Sequence, residues 1–264
     1  MFDLYGKTVI LTGSAGRLGS EFSNILCKAG ANLVLLDIDN QKNNKLAKNL
    51  SKKYKNTILP YTIDISQKSE LKEIKKDVLK NFKKIDVLIN NAFFNPSINQ
   101  KSDTIKFETF PLNIWNQVIN TNLTGIFLCC QEFGQTMNKQ NYGNIINVSS
   151  IYGLVGPDQR IYGNSKLNSQ VSYAATKGAI VNLTRFLAAY WYGKNIRVNT
   201  LSLGGVKDSS YMNNSFIKEY SKKTILGRMA EKFDFNGALL FLSSDASSYM
   251  TGANLVVDGG WTAW

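Results

Sequence analysis

Short apolar runs alternate along this chain with longer stretches in which leucine, isoleucine and valine recur every three or four positions. The short runs, at Thr8–Thr12, Leu33–Asp37, Thr57–Thr62, Asp86–Asn90, Asn144–Ser149, Arg197–Ser202 and Leu255–Asp258, read as strands. Helical patterns fill 18–29, 41–54, 67–82, 112–138, 174–192 and 234–243. Val9–Leu11 and Leu33–Leu36 are apolar at every position rather than every second one, as strands buried on both faces must be. Strand followed by helix, repeated, implies right-handed crossovers and an α/β fold: a doubly wound parallel sheet of about seven strands with helices on both faces. No linker, repeat or low-complexity block interrupts residues 1–264, so a single domain is expected.

Composition narrows the chemistry. A hydrophobic fraction of 44% supplies a large core, yet no apolar run approaches the roughly 18 residues that a membrane span needs. Met1–Lys7 lacks a basic segment followed by an apolar one, which predicts no secretory signal. Cys27, Cys129 and Cys130 have neither metal nor disulfide spacing, and a reducing, cytoplasmic setting is expected. The chain has no histidine, which removes Ser-His-Asp and Cys-His catalysis and the commonest zinc ligand; no metal site is expected. The net charge of +12 raises a nucleic-acid reading. Its lysines, however, concentrate between Gln41 and Lys84 at helical spacing among Leu46, Leu50, Leu71, Ile74, Val78 and Leu79, the pattern of solvated helix faces. No nucleic-acid or membrane partner is expected, and the positive field suits an anionic small substrate.

Thr12-Gly-Ser-Ala-Gly-Arg-Leu-Gly19 joins the first strand to the first helix. Glycines at Gly13, Gly16 and Gly19 let the backbone turn sharply and approach a diphosphate, which meets free amides at a helix N-terminus. With a strand before, a helix after and an acid at the tip of the next strand, this is a strong dinucleotide signal and a Rossmann-like one. The acid is Asp37, whose carboxylate accepts from an adenosine ribose and repels a 2′-phosphate, favouring NAD. Arg17, able to reach a 2′-phosphate, argues for the alternative, NADP. Asp64, ending the third strand, is a candidate for the adenine amine, and Asn90-Asn91-Ala92 ends the fourth beside the same crevice.

Tyr-x-x-x-Lys occurs twice, as Tyr173/Lys177 and Tyr162/Lys166. At i and i+4 on a helix, a cation sits beside a phenol and draws it toward useful acid–base range. The strand Asn144–Ser150 presents Ser149 and Ser150 at its C-terminal end, where ligands collect in doubly wound sheets.

The glycine loop, Asn90-Asn91-Ala92, Asn122, Ser150, the tyrosine–lysine pair and Val257-Asp-Gly-Gly260 stand in one order along nearly the whole chain, and that order resembles the short-chain dehydrogenase/reductase family. The resemblance implies hydride transfer between a nicotinamide and a secondary alcohol or ketone. It makes Tyr173 the proton donor or acceptor, Lys177 the ribose ligand that lowers the tyrosine pKa, Ser150 the stabiliser of the substrate oxygen, and Asn122 the holder of a relay water. It also adds Ser14, Leu18, Ile65, Ala92, Gly204 and Val206 to the cofactor contacts, with Asn91, Tyr173 and Lys177. The family spacing from serine to tyrosine favours Tyr162, but its flanks read as loop; Tyr173 opens a helix that leads into Lys194–Asn199, the family's next strand. Residues 151–172 then form an enlarged substrate loop carrying Arg160, Tyr162 and Lys166, with a second loop at about 205–226 that holds Lys207.

Arg17, Phe93 and Leu203 depart from the family's glycine, glycine and proline and keep open an alternative: a catalytically weak dinucleotide-binding protein with a regulatory or scaffolding role. Within the family, Gly143–Gly153, the long insert, Gly193–Asn199 and Asn90-Asn-Ala-Phe93 resemble the flagellin-modification oxidoreductases linked to legionaminic acid biosynthesis. This implies a sugar substrate, phosphorylated or nucleotide-linked. A homodimer or homotetramer is implied through helices 112–138 and 174–192, with the 261–264 tail expected to pack between subunits.

Overall fold

The computed structural model describes residues 2–96, 104–165, 167–208, 210 and 212–264; Lys166 lies outside them. Seven strands form one sheet: β1 Thr8–Thr12, β2 Asn32–Asp37, β3 Ile58–Thr62, β4 Val87–Asn90, β5 Gly143–Ser150, β6 Ile196–Leu203 and β7 Asn254–Val257. All pairings are parallel, in the order β3-β2-β1-β4-β5-β6-β7. The order reverses between β1 and β4, so chains leave those two strands in opposite directions and a crevice opens there.

Alternate residues of each inner strand face opposite helical layers. Val9 and Leu11 join Leu33 and Leu35 against α1 (Arg17–Lys28), α2 (Asn40–Lys53) and the C-terminal helix Asn236–Ser243, with Phe22, Leu26, Leu50 and Leu239 in that layer. Ile10, Val34 and Leu36 face the other layer, formed by α3 (Lys68–Phe82) and the later helices, through Leu71, Val78, Phe133 and Ile180. Each fully buried large side chain contributes roughly 1.5–3 kcal/mol, which explains why β1, β2 and β4 are apolar through their middles on both faces.

The stretch expected as one helix over 112–138 is three pieces: α4 Leu112–Ile119, a π-helical turn over Asn120–Gly125, and α5 Ile126–Gln140. Periodicity passes through the wide turn almost unchanged, so the pattern does not reveal it. Helix α6 (Val171–Tyr190) follows the insert, and α7 (Asn214–Ser221) lies in the second loop, with Asn213 accepting the Phe216 N–H at its start. Three apolar positions, Phe216, Ile217 and Tyr220, on an eight-residue helix are too few to register as a period, and the sequence pattern does not show α7; the C-terminal helix is α8. Trp261 is buried within its own chain, stacked against Tyr220 at 4.3 Å, so this part of the tail contributes to the subunit's own core. No helix among the described residues is long and apolar enough to cross a membrane.

One buried charge ties α3 to α5. Glu132 is 1% exposed and receives Lys75 at 2.7 Å, with Lys68 farther off at 3.7 Å. Removing Lys75 leaves that carboxylate poorly compensated, whereas the Lys76–Glu73 pair is solvated on both sides. Lys75→Met should therefore cost about 3 kcal/mol in urea melts and Lys76→Met less than about 0.5 kcal/mol.

Candidate active site

The crevice between β1 and β4 is braced before any ligand enters. Thr12 Oγ1 accepts the N–H groups of Asn91 and Ala92, each at 3.0 Å, and the Asn91 amide donates to the carbonyls of Thr12 and Gly13 at 3.1 Å. Gly13 has φ +64°, and a Cβ there would stand 2.7 Å from the Ala92 Cα. A Cβ on Gly19 would meet the Gly13 carbonyl oxygen at 2.0 Å. Only glycine permits either contact. Helix α1 begins after Gly16 with no side-chain cap, so the first N–H groups, at Arg17, Leu18 and Gly19, have no intrahelical acceptor. A narrow cradle ending in uncapped amides fits a dinucleotide diphosphate.

The remaining loop groups are engaged. Ser14 donates its hydroxyl to Asn43 and its N–H to Leu36, so it supports the loop from behind. Asp37 accepts from Ala15 N–H at 2.8 Å and Asp39 N–H at 2.9 Å, which aims its carboxylate at the tip of β2. Asp64 takes the Ser66 N–H at 2.9 Å, and Ile65 is buried beside it. Gly204 donates to the Val257 carbonyl at the end of β6, and Val206 pairs with Ala230. Arg17 goes elsewhere than the adenosine end: its Nη1 lies 2.7 Å from Asp208 Oδ2, on the loop that leaves β6.

At the other end, α6 is stitched to β5. Lys177 Nζ donates to the Val148 carbonyl at 2.9 Å, and Ser149 Oγ donates back to the Lys177 carbonyl at 2.8 Å. Ser149 is thus a structural hydroxyl. Ser150, 7% exposed, accepts the Tyr152 N–H at 3.2 Å while its own O–H has no acceptor among the described residues. Lys177 is 3% exposed, and burial lowers its pKa to about 8. Its ammonium lies 5.6 Å from the ring centre of Tyr173 and 5.7 Å from that of Phe93, and those rings meet edge-on at 6.3 Å. The aromatic that replaces the family's glycine therefore walls the cation and the phenol together. A deeper polar seam holds the register: Asn90 donates to Asn147, Asn147 to Thr184 on α6, and Thr200 on β6 to the same Thr184.

Asn122 sits in the π-helical turn, fully buried. Its side chain is tied to Phe94, accepting the N–H at 2.6 Å and donating to the carbonyl at 3.1 Å. The side chain therefore fixes the segment after β4.

Tyr162 stands apart from Lys177. It belongs to a short turn at Gln159–Tyr162 and packs on Phe216 of α7 at 5.3 Å. With Ile151, Tyr152, Ile161, Tyr220, Met229 and Trp261 it forms a small core of its own that joins the 151–172 insert to the segment after β6. Burial pushes the Tyr152 and Tyr220 phenols up. Asp158 adds an ionic joint, taking Arg160 and Lys223, each at 2.8 Å, and these hydrogen bonds hold its carboxyl below the usual range. Arg160 is 83% exposed. A cavity of about 460 Å³ behind the insert, lined by Phe107, Phe110, Pro157 and Val171 among others, contains none of Ser150, Tyr173 or Lys177. Asp158 and Asp208 carried no signal in the sequence, because each finds its distant partner only through the fold.

The family model described as enoyl-(acyl carrier protein) reductase matches residues 13–262. The chain is 32% identical over 258 residues to the post-translational flagellin modification protein A of Campylobacter coli, covering 98% of this chain and 99% of that one. Among solved structures it resembles a gluconate 5-dehydrogenase from Burkholderia cenocepacia in complex with NADP and tartrate, at a TM-score of 0.88 and 26% identity over 100% of this chain and 98% of that one. An NAD⁺-bound xylitol dehydrogenase aligns at 0.86 and 26% identity over 97% and 99%.

Burial of Lys177 has a pH signature. Below about pH 8 both folded and unfolded chains carry its proton; between about 8 and 10.5 the folded chain sheds it first, so stability rises with pH in that window. Melts without cofactor should show wild type gaining up to about 3 kcal/mol relative to Lys177→Met across that range. Parallel profiles would mean that the ammonium is not desolvated.

Proposed function

The chain belongs to the short-chain dehydrogenase/reductase family, and we propose that it is an NAD-dependent oxidoreductase acting on a secondary alcohol or ketone of a sugar derivative. Members of the family are oxidoreductases of alcohols and ketones that use a nicotinamide cofactor. The observation that carries the reading is the seat of Lys177: a desolvated cation on the face of α6 that also bears Tyr173, anchored to the strand that ends in Ser150.

The bound nicotinamide supplies or accepts the hydride. Ser150 donates its unengaged O–H to the substrate oxygen and stabilises the charge that develops there. Tyr173 passes a proton to or from that oxygen, and the Lys177 cation favours the phenolate and so brings the transfer into range near neutral pH. Lys177 would also hold the ribose of a bound nicotinamide, while Asn122 keeps the segment after β4 in place.

Asp37 supports NAD, since its carboxylate at the tip of β2 opposes a 2′-phosphate, and the Arg17 side chain turns toward the loop that leaves β6. The likeness to a flagellin modification protein and to gluconate and xylitol dehydrogenases supports a carbohydrate substrate, and we place it in surface-glycan (nonulosonate) biosynthesis in the cytoplasm. Phe186 and Tyr190, stacked at 5.8 Å and 61% and 70% exposed, support a homodimer or homotetramer formed through α6.

Three measurements test this. Tyr173→Phe should lower kcat about 10³-fold while NADH affinity stays close to wild type, and Tyr162→Phe should stay near wild-type turnover; undiminished activity in Tyr173→Phe overturns the assignment. Steady-state constants should favour NAD over NADP by about tenfold or more in kcat/KM. Sugar phosphates and nucleotide sugars should outperform simple hydrophobic alcohols as substrates.

A further inference from the structure

Arg17 is the first residue of α1, beside the uncapped amides that face the crevice, yet its guanidinium is bound to a carboxylate of the chain itself. Asp208 offers that carboxylate in a divided way. One oxygen accepts the N–H and O–H of Ser210, at 3.0 and 2.6 Å, and the other receives Arg17 at 2.7 Å. Both partners keep contact with water, with side chains 36% and 22% exposed, so the pair is exchangeable rather than locked in a dry core. The pair spans the crevice between the glycine loop and the chain leaving β6.

We propose that Arg17 is a ligand for the diphosphate of the dinucleotide and that Asp208 is its internal counter-ion, displaced when the cofactor binds. This rests on the dinucleotide-binding reading above. A diphosphate seated on the first turn of α1 brings about two negative charges to the base of the Arg17 side chain. The forked guanidinium matches phosphate oxygens in pairs, and a dianion outcompetes a single carboxylate for it. Asp208 is then left near like charge and is repelled. Arg17 thereby serves the diphosphate rather than a 2′-phosphate, and Asp208 weakens cofactor binding in exchange for keeping the guanidinium paired when the crevice is empty. The Asp208 carbonyl accepts the N–H of Met212, which packs into the small core over the strands, so displacement of Asp208 is felt by the second substrate loop.

Calorimetric titration of the full-length wild type, Arg17→Met, Asp208→Asn and the double variant with ADP, adenosine and 2′-AMP tests this without turnover. Arg17→Met should weaken ADP about tenfold, and Asp208→Asn should tighten it several-fold, to about tenfold. Asp208→Asn should gain less in the Arg17→Met background, and adenosine should bind all four proteins alike. Weaker ADP binding in Asp208→Asn would show that the carboxylate positions Arg17, and would overturn the proposal. So would unchanged ADP affinity in both single variants, or a gain confined to 2′-AMP. A wild type that binds neither ADP nor NADH would overturn the dinucleotide reading itself and this proposal with it, an outcome distinct from the others because those require wild-type ADP binding.

Discussion

Lys177 carries an ammonium group into a site almost sealed from water, where it holds one hydrogen bond to the Val148 carbonyl and lies over two aromatic rings. Burying a cation this way is costly, and the surrounding structure has to compensate it. The compensation consists of contacts that also set how α6 meets the sheet. Val148 and Ser149 bind Lys177 and thereby fix α6 against the end of β5, leaving Ser150 at the rim. Below them, the chain of amides and hydroxyls from Asn90 through Asn147 and Thr184 to Thr200 sets which turn of α6 meets which strand. A slip of one residue would rotate Tyr173 by about 100° around the helix and separate it from the serine.

The crevice and the roof are built on different principles. Beneath, Thr12 and Asn91 join the ends of β1 and β4 with short, buried hydrogen bonds to main chain, a rigid arrangement suited to a cofactor whose shape does not vary. Above, the 151–172 insert and the segment after β6 meet through Tyr152, Tyr162, Phe216, Tyr220 and Trp261, with Asp158 bridging to Lys223. Aromatic packing of this sort can be remodelled without disturbing the sheet. The charges near the site are also largely answered by partners: Arg17 by Asp208, and Arg160 and Lys223 by Asp158. The net charge of +12 therefore owes more to the lysine-rich faces of α2 and α3 than to the site.

Much of this was legible in the sequence. All seven strands are legible within a residue or two: β1, β2 and β4 as continuously apolar runs buried on both faces, the others as shorter β-rich runs between helical patterns. Tyr173 was preferred to Tyr162 from its helical flanks, and the structure places it with Lys177 while Tyr162 joins the roof. The break of the 112–138 helix at Asn120–Gly125 was hidden, since one wide turn hardly alters an apolar period, and α7 was too short to show one.

What the chain determined by itself is whatever depends on neighbours in sequence: the period of each element, the glycine loop, and the spacing that sets a lysine one turn from a tyrosine. What only the tertiary structure decided are the pairings between distant residues. Arg17 with Asp208, Asp158 with Lys223, Phe93 with Tyr173 and Asn122 with Phe94 follow no local rule. A side chain's partner is chosen by which groups the packed sheet brings within a few ångströms, and a charge or an amide gains its role only once water has been excluded around it.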